Sequence, residues 1–455
     1  MNKKKTLFVA ALMIGAATFL GKAQAALNLS LDDCIRIALN ENPTVKIDSM
    51  ELVRVDYSKR EAWGQLLPEV SFAGQYSRTL MKQTMYMDTG QGVAAIKMGR
   101  DNTYTAALSA SIPIYVPQVW KSIKLSDTQI LQNLETARAS KLSLVNQVKN
   151  AYYALLLAED SRKVLLANYE TSKVNAEVFT KKHEIGVASE YDMLRANVAV
   201  TNLEPSIIDA ENSINKLKLQ LKLLMAMDAN VDFSTSESLE GFKTAMYGRA
   251  MTMDTSLVNN TSVKQLDLQT DLLRQTLDVQ KASWLPTIAA TANLGYSSMT
   301  NGNPLANFQW SGSSSVGLSV SIPLFQGGKR YYKQKQAEIA VREMKWQREN
   351  LTRSLNVQVQ NELDNITKSL KQVDANTKGV QQAEKAHDIM QESFKIGSGT
   401  FLQLRDTEDA LMSARLSYYQ SIYNYLVAES DLEFVLGNAP IYKYTSTKKK
   451  NRYNL

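Results

Sequence analysis

A two-residue hydrophobic period that runs directly into a long segment free of helix breakers constrains this fold more than any other feature. Between Thr103 and Tyr115 the even positions are apolar or aromatic and nearly all odd positions are small or polar, which is typical of a strand with one apolar face. From Gln118 to Ile185 the chain contains neither glycine nor proline, and a continuous helix of that length would extend about 100 Å. The fold must therefore accommodate a strand that leads into such a helix.

The same arrangement occurs twice, at an offset of about 210 residues. The matching pairs are Leu67-Pro68 and Leu285-Pro286 where strands begin, Ser111-Ile112-Pro113 and Ser321-Ile322-Pro323 where strands end, and Gly186 and Gly397 where helices end. Apolar residues at alternating three- and four-residue steps in both breaker-free segments indicate coiled-coil seams. The chain is therefore expected to be an internal duplication rather than a string of unrelated domains.

The repeat predicts the following organisation of the 455 residues. We expect a signal peptide over 1–25, a first repeat over 26–226, an equatorial linker over 227–256, a second repeat over 257–438 and a C-terminal tail over 439–455. Each repeat is expected to hold a β-hairpin (68–116 and 286–325) and a long helical hairpin (117–226 and 326–438). Met81 to Asn102 is predicted to be a loop, and the linker is predicted to be irregular.

The N-terminus has the pattern of an export signal, with Lys3 to Lys5, an apolar run from Leu7 to Leu20 and Ala23-Gln24-Ala25 as the cleavage site. The formal charge of +7 falls to about +3 in the mature chain, too little to predict a nucleic-acid partner. Because no other segment is apolar and long enough to be a membrane helix, any membrane insertion is expected to use strands.

The sequence gives no sign of an enzyme. It contains no phosphate-binding loop, no zinc-ligand spacing and no nucleophile elbow, so neither a metal nor a cofactor is predicted. His183 and His387 lie far apart in the sequence, and both are expected to be solvated helix residues.

Four strands with an apolar face cannot close a barrel in one chain, and an open sheet in lipid leaves edge amides unpaired at several kcal/mol each. The strands are therefore expected to be completed by further copies, which give eight strands for two chains and twelve for three. Twelve strands leave room for a lumen. The expected lipid-facing residues are Ala110, Ile112, Val320 and Ile322, and the expected lumen-facing residues are Ser109, Ser111, Ser319 and Ser321.

With these motifs in this order, the chain resembles the TolC-like outer-membrane efflux protein family. The resemblance includes Ile185-Gly186-Val187-Ala188 and Ile396-Gly397-Ser398-Gly399 as hairpin tips. It implies a mainly α fold with β: a trimeric α-barrel of long coiled-coil helices joined to a shared 12-stranded transmembrane β-barrel, with four strands per chain. It further implies an outer-membrane exit duct of a tripartite efflux or type I secretion system, with the helical part in the periplasm.

The partners that the resemblance implies are two further chains in a homotrimer, outer-membrane lipid, a periplasmic adaptor (membrane fusion) protein and an inner-membrane pump. The adaptor is expected to contact the hairpin tips, which are Gly186, Val187, Ala188, Gly397, Ser398 and Gly399. Aromatic residues at the strand–helix junctions are expected to lie at the membrane interface. These are Tyr115, Trp120, Phe325 and Tyr331. Packing at the barrel floor is the alternative for them.

Asp192 and Asp406 match acidic positions that constrict the periplasmic mouth in the family. Both are also explained as acids near a helix N-terminus, which the helix dipole favours by roughly 0.3–1 kcal/mol, although Asp406 lies further into its helix. Arg195 and Arg405 are candidate countercharges in a closing latch.

The family's own latch is in doubt here, because its residues are replaced by Phe394, Gly399 and Gln403. Thr400 with Gln403 has the spacing of a capping box, which explains Gln403 without a functional role.

One alternative of a different class stays open at this stage, namely an exported coiled-coil structural or adhesive protein without a pore. A periplasmic adaptor would be expected to have a single helical hairpin and a lipoyl-like β domain, which the sequence does not show.

Overall fold

The computed structural model describes residues 27–88, 90, 92–250, 255–301 and 309–438. The expected signal peptide (1–25) and C-terminal tail (439–455) lie outside these residues. The helices are α1 Leu31–Glu41, α2 Pro43–Gly64, α3 Pro117–Glu184, α4 Glu190–Leu224, α5 Leu239–Ala250, α6 Thr261–Ala282, α7 Lys329–Lys395 and α8 Phe401–Leu436. The strands are β1 Leu27–Leu29, β2 Glu69–Arg78, β3 Gln83–Asp88, β4 Val93–Met98, β5 Asn102–Tyr115, β6 Phe233–Thr235, β7 Thr287–Thr300 and β8 Trp310–Ser321.

The chain divides into two compact units, and each combines matching segments of the two repeats. Among the described residues, the helical unit comprises those within 27–49, 136–263 and 351–438, and the sheet unit comprises those within 50–135 and 264–350. The boundary falls inside the long helices rather than between the repeats, so the duplication is built into both units.

The sheet unit contains one four-stranded antiparallel sheet in the order β2-β5-β7-β8. The register places Val70, Ala110, Ala292 and Val316 in one cross-strand row, and Ser71, Ser109, Asn293 and Ser315 in the adjacent row. Because adjacent rows point to opposite faces, the sheet has one apolar face and one polar face. The period of two in the sequence therefore corresponds to the faces of a real sheet, whose edge strands are β2 and β8.

The prediction of a loop over 81–102 was wrong, because β3 and β4 form an antiparallel hairpin there. Alternation of Met85 and Met87 with Thr84 and Tyr86 favours extended structure. The glycines of this segment do not interrupt the hairpin, because Gly90 and Gly92 adopt positive φ in the turn and Gly99 lies beyond β4.

The helical unit is centred on one hydrophobic core to which α1, α3 and α8 contribute. Its fully buried side chains include Ile35, Tyr152, Leu155, Ile422 and Tyr425. Tyr152 Oη donates to the Leu29 carbonyl (3.1 Å) and Tyr425 Oη to the Met246 carbonyl (2.7 Å), so both buried phenols are satisfied.

The linker is more ordered than expected. The strand β6 pairs in parallel with β1, and α5 occupies 239–250 with Leu239 and Met246 fully buried. Phe242 packs edge-on against Tyr153 with ring centroids 5.5 Å apart. Gly241 lowers helix propensity, so the sequence did not indicate α5. Burial of the apolar side chains of α5 outweighs this cost.

Two buried asparagines show that the repeats are structurally equivalent. Asn42 and Asn260 each precede a helix, and each side-chain oxygen accepts from a backbone N–H of that helix at 2.8 Å. Their amide groups donate to carbonyls at the ends of returning helices, Leu224 O (2.8 Å) and Val435 O (2.6 Å). In each repeat, one asparagine side chain thus links the start of a helix to the end of a returning helix.

The predicted seams are buried in both long helices, as shown by Val148 and Leu155 in α3 and by Ile366 and Val373 in α7. Pro205 lies inside α4, which continues through it. Within the described part of the chain, no helix combines the length and the apolar character needed to cross a membrane.

Gly437 ends α8 with φ +71° against the backbone of Asn259, and Arg138 donates to both carbonyls, Gly437 O (3.2 Å) and Asn259 O (2.6 Å). A Cβ at Gly437 would overlap the Asn259 carbonyl oxygen. We expect Gly437→Ala to lower the free energy of unfolding by about 3 kcal/mol, measured by denaturant unfolding followed by circular dichroism.

Gly186→Ala is the matched control, because Gly186 also has positive φ but nothing within 4 Å of an added Cβ. It is expected to cost only about 1 kcal/mol. Equal losses in the two variants would contradict the proposed contact with Asn259.

Candidate functional site at the helical tips

The two long hairpins end in turns of the same geometry. Gly186 (φ +74°) follows α3, and the Val187 and Ala188 N–H groups both donate to Lys182 O, at 2.7 and 3.1 Å. The second tip, around Gly397 (φ +78°), repeats these bonds: the N–H groups of Ser398 and Gly399 both donate to Ser393 O, at 2.9 and 3.1 Å. Glycine with positive φ closes both helices because other residues are strained there.

His183 takes part in the first tip, since its Nδ1 lies 3.2 Å from Ala188 O. His183 lies in α3, as expected, but it is half-buried and bridges the turn. His387 is also half-buried, with Nδ1 3.5 Å from Thr407 Oγ1.

The returning helices start with side-chain caps. Ser189 caps α4, and its hydroxyl accepts from Asp192 N–H (3.1 Å) and donates to Asp192 Oδ2 (2.7 Å). Thr400 caps α8 in a full capping box with Gln403, as its spacing predicts. Asp192 is thus engaged in helix capping in the single chain, which is one of the two roles left open by the sequence.

The other predicted gate residues lie in different surroundings. Asp406 is exposed in the second turn of α8, and no hydrogen bond or ion pair reaches it from the residues that the structure describes. Arg195 donates weakly to the Tyr191 hydroxyl (3.4 Å). A role for these groups at a shared axis stays a prediction.

Arg405 belongs to a partly buried polar cluster between α3 and α8, one helix from each hairpin. Its guanidinium donates to Ser172 Oγ (2.8 Å) and forms ion pairs with Asp409 (2.9 Å) and Glu408 (3.6 Å). Asn175 Nδ2 donates to Glu408 Oε1 at 2.9 Å. These five residues are called the polar joint below.

Glu408 is the most unusual member of the polar joint. It is 5% exposed, and its Oε2 has no hydrogen-bond partner among the described residues. Burial raises the pKa of its carboxyl, while Arg405 and the Asn175 amide act in the opposite direction. The Glu408 Oε2 atom still faces Arg405 Nη1 at 3.6 Å, so it is held by a long ion pair rather than by a hydrogen bond.

An aromatic cluster joins the same hairpins closer to the tips. The Phe179 ring lies 4.4 Å from that of Phe401 and 6.0 Å from that of Phe394, and Lys182 Nζ is 5.4 Å from the Phe394 centroid. Phe394 therefore packs between the hairpins. It is one of the residues at which the sequence departs from the family's latch.

The expected interface aromatics are all exposed in the sheet unit, where strands and helices meet. Tyr115 ends β5, Trp120 lies in the first turn of α3, and Phe325 follows β8. Trp120 packs edge-on against Trp63 (5.7 Å), and Tyr331 packs against Tyr332 (5.4 Å). Their place at a membrane interface stays a prediction.

Sequence reasoning missed the polar joint, although a signal for it was present. Continuing the alternating four- and three-residue steps of the α3 seam past Ala158 gives positions 162, 165, 169, 172 and 176, so Ser172 falls on the seam as a polar residue at a core position. Ser172 is indeed buried, whereas Asn175 lies off this series. Across the described ranges, no group of three His, Cys, Asp or Glu side chains is arranged to hold a metal ion.

Comparison with known proteins gives two kinds of match. A sequence model of the family described as "Outer membrane efflux protein" matches residues 34–226 and 252–438. The chain is 24% identical over 389 residues to outer membrane protein TolC of Escherichia coli (strain K12), covering 83% of this chain and 76% of TolC. It is 22% identical over 415 residues to alkaline protease secretion protein AprF of Pseudomonas aeruginosa, covering 90% of this chain and 85% of AprF.

The fold is shared with solved channels. The Campylobacter jejuni CmeC outer membrane channel superposes with a TM-score of 0.70 at 17% identity, covering 90% of this chain and 85% of CmeC. The open state of the Neisseria gonorrhoeae MtrE outer membrane channel gives 0.70 at 18% identity, covering 92% and 93%. The fold class expected from the sequence, mainly helical with strands and characteristic of outer-membrane channels, is confirmed.

The raised pKa of Glu408 makes the helical unit sensitive to pH. Because the folded state favours the protonated form, stability is greatest below the ordinary glutamate pKa of 4.5 and is lost as the pH rises through the raised pKa of the folded state. We expect the thermal midpoint of the wild type to fall from pH 4.5 to pH 8 by more than that of Glu408→Gln, measured by circular dichroism.

Glu384→Gln is the matched control, because Glu384 pairs with Arg415 at an exposed position of the same unit (2.8 Å). That variant should retain the pH dependence of the wild type. An unchanged dependence in Glu408→Gln would exclude Glu408 as its source.

Proposed function

We infer the function from the family: this chain belongs to the outer membrane efflux protein family, and we propose that it is the passive exit duct of a tripartite efflux or type I secretion system. The observation that carries the proposal is the match of the family to both repeats, 34–226 and 252–438, each with a strand pair and a long helical hairpin. The protein lies in the outer membrane, and the proposed role of its helical part is to carry the path through the periplasm.

The proposed assembly is a homotrimer with a shared 12-stranded barrel. Support comes from the sheet of one chain, which has four strands and two edge strands, β2 and β8. Its apolar face carries side chains that are strongly exposed in the single chain, such as Phe72 (73%) and Val316 (87%). Lipid can cover this face, whereas the edges require strands from neighbouring chains, because lipid offers no hydrogen-bond partner to backbone groups.

The proposed contact with a periplasmic adaptor lies at the hairpin tips. Apolar side chains flank the glycine turns and are strongly exposed, namely Ile185 (74%), Val187 (70%) and Ile396 (79%). Exposed apolar groups beside rigid turns are suited to packing against a partner protein. An inner-membrane pump, bound through the adaptor, would supply the cargo and the energy, so the duct itself performs no catalytic step.

The proposed resting state is closed at the tips. Asp192 and Asp406 would bring six carboxylates toward one axis in a trimer, with Arg195 as a countercharge from the same or a neighbouring chain. Arg405 holds the polar joint of its own chain, and that joint connects the two hairpins together with the aromatic cluster. Any opening that separates the hairpins must break these contacts, so they would act as the latch of this chain.

The direct test is the electrical behaviour of the purified full-length protein. We expect discrete single-channel currents in planar bilayers and a trimer that dissociates on heating before electrophoresis. A protein that folds and assembles without conducting would favour the alternative, a structural or adhesive coiled-coil protein.

Replacing both acids at the tips, as Asp192→Asn with Asp406→Asn, should move the cation-to-anion permeability ratio toward unity, because the ring of charge that concentrates cations is lost. The measurement is the reversal potential of single channels in asymmetric salt. The same variant should also lose block by multivalent cations added from the periplasmic side.

The matched control removes two exposed acids elsewhere on the hairpins, as Asp209→Asn with Asp364→Asn, and should leave selectivity unchanged. If the Asp192 and Asp406 variant keeps its reversal potential, these aspartates do not form the gate.

A further inference from the structure

A cavity of about 140 Å³ lies at the junction between β8 and α7 in the sheet unit. It is lined by Trp284, Leu324, Phe325, Gln326, Gly328, Lys329 and Arg330. Gly327 (φ +58°) and Gly328 (φ +75°) turn the chain sharply between the strand and the helix. The volume suits a small polar group such as a phosphate rather than a whole lipid or peptide.

The lining of this cavity carries two cations and no acid. Lys329 and Arg330 occupy the first turn of α7, where the helix dipole disfavours positive charge, and that turn has no acidic residue. Among the residues that the structure describes, no carboxylate lies within ion-pairing distance of either side chain. Lys335, two turns further on, is by contrast paired with Glu338 at 2.8 Å. An anion from outside the chain would neutralise the positive charge of Lys329 and Arg330.

Arg330 is held in place by the cavity wall. Its guanidinium lies 6.0 Å from the centroid of the Trp284 ring, and its Nη1 donates to Pro323 O at 3.4 Å. A half-buried guanidinium fixed against an aromatic ring still offers donors that match the oxygens of a phosphate, and the exposed Lys329 adds a flexible second charge.

The rim of the cavity is strongly apolar. Leu324 is 87% exposed and Phe325 85%, and they follow the end of β8 at Ser321 by three and four residues. The 12 residues of β8 extend about 36 Å at roughly 3.3 Å per residue, and the strand tilt of roughly 35–45° in outer-membrane barrels reduces this to about 28 Å along the membrane normal, comparable with their apolar band of about 25 Å. The cavity therefore lies where the apolar band would end, on the side from which the helix leaves.

We propose that this cavity binds the phosphodiester headgroup of an anionic glycerophospholipid in the periplasmic leaflet of the outer membrane. Lys329 and Arg330 contact the phosphate, Trp284 lies at the level of the headgroup, and Leu324 and Phe325 pack among the acyl chains. The inference rests on the proposed placement of β8 in the bilayer. The apolar rim distinguishes this ligand from free phosphate, which would gain nothing from Leu324 and Phe325.

The experiment uses the full-length protein in nanodiscs made from equal parts of phosphatidylglycerol and phosphatidylcholine. Lipids that stay bound after release from the disc are counted by native mass spectrometry. The wild type is expected to retain phosphatidylglycerol at least about fivefold over phosphatidylcholine. Lys329→Gln with Arg330→Gln should reduce that preference to less than about twofold.

The matched control, Lys368→Gln with Lys371→Gln, removes two exposed charges further along α7 and should keep the wild-type preference. If the double variant at the cavity fails to insert, Lys329→Gln alone alters an exposed side chain and should halve the preference or reduce it further. Circular dichroism and single-channel conductance verify that each variant is folded.

Three results would overturn the inference. They are an unchanged preference in the Lys329 and Arg330 variant, full displacement of phosphatidylglycerol by millimolar inorganic phosphate, and a conducting wild type that retains both lipids equally. The last would mean that a neighbouring chain covers the cavity, and it leaves the proposed duct intact. A wild type that never conducts would instead remove the proposed function.

Discussion

The hydrogen-bonding requirement of backbone groups in lipid determines how this chain can exist. One chain supplies a sheet of four strands in the order β2-β5-β7-β8, with an apolar face that suits a bilayer and two edge strands. Each unpaired edge group costs several kcal/mol in hydrocarbon, so the sheet can insert only when other strands complete it. The duplication supplies the four strands within one chain, and a rotationally symmetric assembly of copies can close the ring.

The proposed gating requires a helical unit that is stable and yet separable at its tips. Its core is fully packed around Tyr152 and Tyr425, and Asn42 and Asn260 close equivalent junctions with buried hydrogen bonds. Between that core and the aromatic cluster near the tips, the polar joint interrupts the apolar packing of α3 against α8, and Glu408 Oε2 makes no hydrogen bond there with the described residues. Interactions of this kind fix a geometry and are broken at less cost than a continuous apolar seam, which suits a contact that must open.

Much of this architecture could be predicted from the sequence, since strand periodicity, breaker-free helices and glycines at matching offsets are local signals. The hairpin β3–β4 was missed because the glycines that flank its strands indicate a loop, and the helix α5 was missed because tertiary burial of Leu239 and Met246 decides the outcome. The polar joint depends on which residues meet across two helices. Arg405 is a candidate countercharge in the sequence, and within the chain it contacts Ser172, Glu408 and Asp409, a set of partners that depends on the register of α3 against α8.

The central claim is that β8 of one chain pairs with β2 of the next. Ser71 and Ser315 lie in the same row on opposite edges, so roughly 14 Å of sheet separates them within a chain, too far for a disulfide. The most direct measurement combines Ser71→Cys with cysteine at successive polar-face positions of β8, from Ser311 to Ser319, in a Cys34→Ala background. One register should give a covalent trimer under oxidising, denaturing conditions. A conducting protein that stays monomeric at every register would contradict the account.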